Sequence, residues 1–170
     1  MVADKVVAPL LRVPIFMGLH APQLSDIARD AEKIAFRADS TITQAGVIGD
    51  GAYLIVSGVA VRQPSVSTEA AEPIEPGSLV GELAMLVDHV YGATVRAQGR
   101  VTCLKILRSA LLQQMERDPD LAEHFSNILT ARLMHVTAEM RRIDAALAAY
   151  AGPGPHAGDL PTPTASVSLL

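Results

Sequence analysis

The chain has no tryptophan, one cysteine, three phenylalanines and three tyrosines among 170 residues, so aromatic mass cannot dominate its core. A lone Cys103 excludes an internal disulfide and an all-cysteine metal or iron–sulfur centre, and it fits a reducing compartment. Excess positive charge is also missing. Fourteen Lys and Arg against eighteen Asp and Glu give a net charge of −4, which leaves no global basic footprint for nucleic acid. Long apolar runs are absent too: Val6 to Leu19 is broken by Arg12 and Pro14, too short for a membrane span. No charged start, apolar centre and small-residue cleavage site follow one another at the N-terminus. These absences predict a soluble, cytoplasmic chain with no membrane contact. What is abundant is ordinary apolar residue, 49% of the total against 19% charged, enough for one domain with a real core.

Catalytic and metal constellations are equally sparse. His124 and His135 share a helical face but stand eleven residues apart, about 16 Å along a helix, too far to share a metal. Gly46, Gly49 and Gly51 do not follow the dinucleotide order and precede a strand rather than a helix, so they read as a turn. Cys103 falls within an apolar strand and reads as core. Lys105 and Arg108, at the end of that strand, read as solvated. Scattered Ser, His and Asp residues form no nucleophile grouping, and the expectation is a protein that is not an enzyme.

The texture changes twice along the chain. Residues from about Pro9 to Asp30 read as helical, in two short pieces split at Pro14 and at Ala21-Pro22, with Leu24, Ile27, Ala28 and Ala31 on one face. From Glu32 onward, short β-type runs alternate with glycine turns: Ile34 and Phe36, then Thr41 to Thr43, Ala52 to Val56, and Val59 to Val61. Thr94 to Ala97 and Val101 to Leu107 continue the pattern. Strands at this spacing predict a small barrel or sandwich. Gln63 to Pro76, with three prolines and three glutamates, reads as a mobile surface loop. A short helix is predicted over Ser109 to Arg117.

The last helix has the clearest grammar. Asp118 suits the N-cap, Pro119 the first helical position, and Asp120 and Glu123 the positive helix start. Leu129, Leu133, Val136, Met140, Ile143, Leu147 and Tyr150 follow a 4-3-4-3-4-3 spacing, a heptad seam. A helix over about 119–150 is predicted, and with it either a homodimer through that seam or a helix lying along its own barrel. Gly152-Pro153-Gly154-Pro155 stops it, and residues 151–170 read as a disordered tail.

Gly81-Glu82-Leu83-Ala84 followed by Tyr91-Gly92-Ala93-Thr94-Val95 resembles the phosphate-binding cassette of the cyclic-nucleotide-binding domain family. Val13 to Leu19, the Phe36 to Asp50 hairpin and Tyr53-Leu54-Ile55-Val56-Ser57-Gly58 resemble other family motifs in the same order. The resemblance covers about residues 10–147. It implies an α+β fold, an antiparallel β-roll of double-stranded β-helix type with flanking helices and a long C-terminal helix, as in catabolite-activator-like proteins. The helix-turn-helix of those regulators does not follow here, so direct DNA reading is not expected.

By the same resemblance the ligand would be held by Gly81, Glu82, Leu83, Tyr91, Gly92 and Ala93. Glu82 would take the ribose hydroxyl, and backbone N–H groups at the start of a short helix would face the phosphate. Where the family carries an arginine, this chain has Tyr91. Loss of that guanidinium predicts roughly 10- to 100-fold weaker binding. Tyr91 either stacks on a purine or plugs the pocket, and Arg96, Arg132 and Thr137 are alternative ligand contacts or surface residues. Related sensors carry haem, for which His89 would be the lone ligand here. The expectation is a regulatory module that binds cyclic AMP or cyclic GMP weakly and needs no resident cofactor. It would act on an effector protein that the sequence does not name. The alternative is a ligand-free dimerising scaffold.

Overall fold

In the computed structural model, residues 3–63 and 71–150 are described. The N-terminal part is helical, as expected, but begins earlier: α1 spans Ala3–Leu10, a 3-10 turn covers Pro14–Phe16, and α2 spans Ala21–Asp30. Pro9 lies inside α1, and the bond it cannot donate is followed by Leu11 N donating to Val7 O at 3.2 Å, which closes the helix.

Eight strands follow among the described residues: β1 (Glu32–Phe36), β2 (Thr41–Thr43), β3 (Gly51–Ser57), β4 (Ala60–Arg62), β5 (Glu72–Ile74), β6 (Leu79–Val80), β7 (Val95–Ala97) and β8 (Val101–Leu107). They form two four-stranded sheets, ordered β1-β8-β3-β6 and β2-β7-β4-β5, in which every pair with a defined register is antiparallel. The α+β class and the antiparallel β-roll thus stand as expected. Between the sheets lies a core that includes Ile42, Ile55, Ala60, Ile74, Val95, Val101 and the buried Cys103. A second core joins the helices, with Leu10, Leu24, Leu111 and Leu121 fully buried and Phe16 edge-on to Phe125 at 6.3 Å.

Two strands depart from the sequence reading. Within the segment read as a loop, Glu72–Ile74 pairs with β4, while residues 64–70 lie outside the described residues. Pro73 is compatible because β5 is an edge strand, where an N–H on the outer side is not needed. The two-residue β6 is too short to show a period of its own.

After β8 come α3 (Arg108–Arg117) and α4 (Pro119–Tyr150). Asp118 caps α4 as expected: its Oδ1 accepts from the N–H groups of Asp120 and Leu121, both at 3.1 Å. Its Oδ2 accepts from Gln23 Nε2 at 2.8 Å, and the Gln23 bond, followed by that from Leu121 N–H, holds the carboxyl below its ordinary pKa. The chain divides into two compact units, one ending at Ile128 with the sheets and one beginning at Leu129. In the second unit the seam side chains Leu133, Val136, Met140, Ile143 and Leu147 are exposed. The expected tail, 151–170, lies outside the described residues.

Candidate functional site

β6 delivers the chain to Gly81, whose φ of +76° is the left-handed conformation that favours glycine. The predicted cassette helix is a single 3-10 turn, Glu82–Met85, with Ala84 and Met85 fully buried beneath it. One turn aligns few peptide dipoles, so the field expected at its start is much smaller than that of a long helix.

Beyond this turn the chain is zipped to the glycine corner of the β2–β3 connection. Tyr91 N donates to Val47 O, Gly46 N to Tyr91 O, and Gly49 N to His89 O, each at 2.9 Å. This pairing turns the Tyr91 side chain inward. Its hydroxyl donates to Gly51 O at 2.8 Å, and its ring fills the space over Gly49 and Gly81. An added Cβ at Gly81 would lie 2.5 Å from a ring carbon, and one at Gly49 would lie 2.5 Å from Ala84 Cβ and 2.7 Å from a ring carbon, so both positions favour glycine. Burial pushes the Tyr91 phenol up to about 12, helped by the neighbouring Tyr53 and Asp50. The ring is buried against the cassette turn and is not an exposed platform.

Two cations read as solvated are in fact tied down. Lys105 Nζ, largely shielded, meets Asp50 Oδ2 at 2.6 Å and lies 5.6 Å from the Tyr53 ring centre. Arg108 Nη1 donates to Gly49 O at 2.7 Å, Ala84 O at 2.9 Å and Val87 O at 3.1 Å, while Nη2 meets Asp88 at 2.6 Å. Lys105 lies on the central strand β8 and Arg108 begins α3 directly after it, which carries both toward the glycine corner and the cassette. Arg108 thereby staples the glycine corner to the end of the cassette turn, a role that sequence reasoning missed.

A cavity of about 390 Å3 opens beside the cassette. Its lining includes Gly81, Tyr91, Gly92 and Ala93 of the cassette together with Thr43, Arg62 and Val95. Four of the six expected site residues are thus brought together, whereas Glu82 and Leu83 are not on its lining. Thr43, buried, donates through Oγ1 to Ala93 O at 3.1 Å, and Thr94 Oγ1 accepts from Ala45 N at 3.1 Å, which fixes the closing limb.

Of the other expected contacts, Arg96 and His89, in the same unit, do not line this cavity. Arg96 is exposed and spends its guanidinium on Asp39 O, at 2.6 Å and 3.1 Å. Arg132 and Thr137 belong to the second unit, where Thr137 Oγ1 donates to Leu133 O at 2.8 Å. His89 is exposed, and among the described residues no cluster of three or more His, Cys, Asp or Glu could hold a metal. Nor is any described helix long and apolar enough to cross a membrane. The Cys103 thiol is pushed up to about 12 by burial, which leaves it protonated and inert at neutral pH.

Comparison with known proteins agrees with this geometry. A cAMP-dependent protein kinase regulatory subunit from Mucor circinelloides is 31% identical over 103 residues, 59% of this chain and 24% of the relative. The chain spans about a quarter to a third of the length of the kinase regulatory subunits it matches. The N-terminal domain of a transcriptional regulator from Streptomyces coelicolor superposes with a TM-score of 0.69 at 21% identity, over 78% of this chain and 94% of that one. Thermus thermophilus catabolite activator protein superposes with a TM-score of 0.60 at 22% identity, over 77% of this chain and 63% of that one. The family pattern described as "Cyclic nucleotide-binding domain" matches residues 33–118, half of the chain, and with the cassette, the two sheets and their order it establishes that the chain belongs to the cyclic nucleotide-binding domain family.

Proposed function

We propose that the protein is a regulatory ligand-binding module whose β-roll takes a cyclic nucleotide, with cyclic AMP or cyclic GMP as the ligand class. The observation that carries this reading is the cavity of about 390 Å3 that remains beside the cassette although Tyr91 fills the niche below it. That volume falls within the range of small-molecule sites, roughly 300–1,000 Å3. Binding is expected to be weak, because Tyr91 brings no positive charge and its hydroxyl is already committed to Gly51. A ligand shifts the protein only as far as it discriminates two states, so a weak ligand makes a switch that responds to high concentrations.

Calorimetry with cyclic AMP and cyclic GMP up to millimolar concentration tests the reading. Saturable heat accompanied by a thermal shift supports it; neither heat nor shift overturns it. The second reading, a dimerising scaffold without ligand, is favoured by the exposed seam on α4. Under either reading the chain self-associates through that seam and presents its surface to an effector protein.

A further inference from the structure

Among the described residues that line the cavity, Arg62 is the one charged side chain. Its position follows from strand register. On β4, Ala60 pairs with Ile74 on one side and Ala97 on the other, and all three belong to the core between the sheets. Side chains of cross-strand partners share a face, and so do residues two apart on one strand. Two positions on, Arg62 pairs with Glu72 and with the buried Val95, so Arg62 and Glu72 continue the inner face rather than the outer one.

That face leads directly to the cassette. Gln63 N donates to Thr94 O at 2.9 Å, which extends the β4–β7 ladder to the cassette's closing residues. Ala93 lies two residues before Val95, about 7 Å along the strand, within reach of an arginine side chain anchored opposite Val95. The Arg62 guanidinium currently meets Glu72, Nη1 to Oε2 at 3.2 Å, with both groups about half exposed or more. An exposed pair of this kind contributes little to stability and is easily exchanged.

Resting on the cyclic-nucleotide reading above, we propose that Arg62 is the cation that grips the ligand's anionic phosphate in place of the missing cassette arginine, and that Glu72 holds it while the cavity is empty. Ligand entry exchanges one carboxylate for one phosphate on the same guanidinium. Arginine suits this exchange because its planar fork matches either anion. Glu72 therefore acts as an internal competitor that sets the threshold of the module.

The test is calorimetry with cyclic AMP and cyclic GMP on the full chain and on three variants. Arg62→Gln is expected to weaken binding by about tenfold or more, as for loss of a charge-assisted contact. Glu72→Gln is expected to tighten it by about two- to fivefold, since it releases Arg62 from an exposed pair. Arg96→Gln, which alters a cation committed to Asp39 O, is expected to leave binding unchanged. A gain of affinity in Glu72→Gln cannot come from misfolding, so that variant guards the interpretation of the loss. Wild-type binding that is unaltered in both Arg62→Gln and Glu72→Gln overturns the role of Arg62 and leaves the ligand reading intact. Absence of binding by wild type and by Glu72→Gln overturns both.

Discussion

The Tyr91 hydroxyl donates to the Gly51 carbonyl oxygen at 2.8 Å, joining the cassette to the first residue of β3 beneath the site. Tyr91 is thereby committed to internal structure. The consequence is measurable because the phenol must keep its proton to make the bond.

Its pKa rises from 10.0 to about 12, chiefly through burial. The folded state therefore keeps a proton that the unfolded state releases, and stability falls as pH climbs through that window. The contribution is complete below about pH 10 and is lost toward pH 12, amounting to at most roughly 2–3 kcal/mol. Tyr91→Phe should cost about 1 kcal/mol near neutrality for the lost bond. The gap between wild type and variant should then close above pH 10 and reverse in sign toward pH 12 in urea titrations. Cys103, also raised to about 12 by burial, declines in both proteins and cancels in the difference. A gap that stays constant across this range would mean the phenol is not held as described.

The same ring explains the glycine at position 81. A Cβ at Gly81 would lie 2.5 Å from Tyr91 Cε1 and would sit on a backbone with φ of +76°. Gly81→Ala should destabilise by about 2–4 kcal/mol, the sum of backbone strain and steric overlap. In a Tyr91→Ala background the overlap vanishes and only the strain, about 1–2 kcal/mol, remains. A double-mutant cycle by urea unfolding should thus show coupling of about 1 kcal/mol or more. Additivity would separate the two residues.

Much of this was legible in the sequence, and the exceptions share a cause. The start of α4 follows from Asp118-Pro119, where cap and first turn are local chemistry, and β8 follows from its seven-residue run, Val101–Leu107. The motif at Gly81-Glu82-Leu83 pointed to the cassette for the same reason. Arg108 and Arg62 were not recognised as site residues because their roles depend on partners far away in the chain. Arg108 looks like a solvated strand end until β8 brings it against Gly49 and Ala84. Arg62 looks like a loop margin until β5 and β7 fix which face it shares with Ala60. The strand at Glu72–Ile74 was hidden by Pro73, which an edge position tolerates.

Restoring the family's cation tests the alignment itself. Tyr91→Arg should raise affinity for cyclic AMP by about tenfold or more in calorimetry, provided the guanidinium leaves the niche and turns to the cavity. It should also lower stability, because the ring's packing on Gly49 and Gly81 and its bond to Gly51 are lost. Tighter binding in a less stable protein is the expected pair of results. Unchanged affinity would show that Tyr91 does not occupy the position of the missing arginine.

The seam on α4 makes the last prediction. Met140 and Ile143 are 61% and 58% exposed, and they stand in a row with Leu133, Val136 and Leu147. Water contact on so many aliphatic side chains is unfavourable, at about 25 cal/mol for each Å2, and burying the row against a second copy removes it. Heptad spacing allows that burial to run along the helix as knobs into holes. Wild-type protein should therefore sediment as a dimer, and Met140→Asp combined with Ile143→Asp should sediment as a monomer, since a dimer would bury unpaired carboxylates at its centre. Circular dichroism of the variant should retain the helical signal if only assembly is lost. Wild-type protein that remains monomeric at high concentration would refute the seam, and the cavity beside the cassette would then have to carry regulation within one chain.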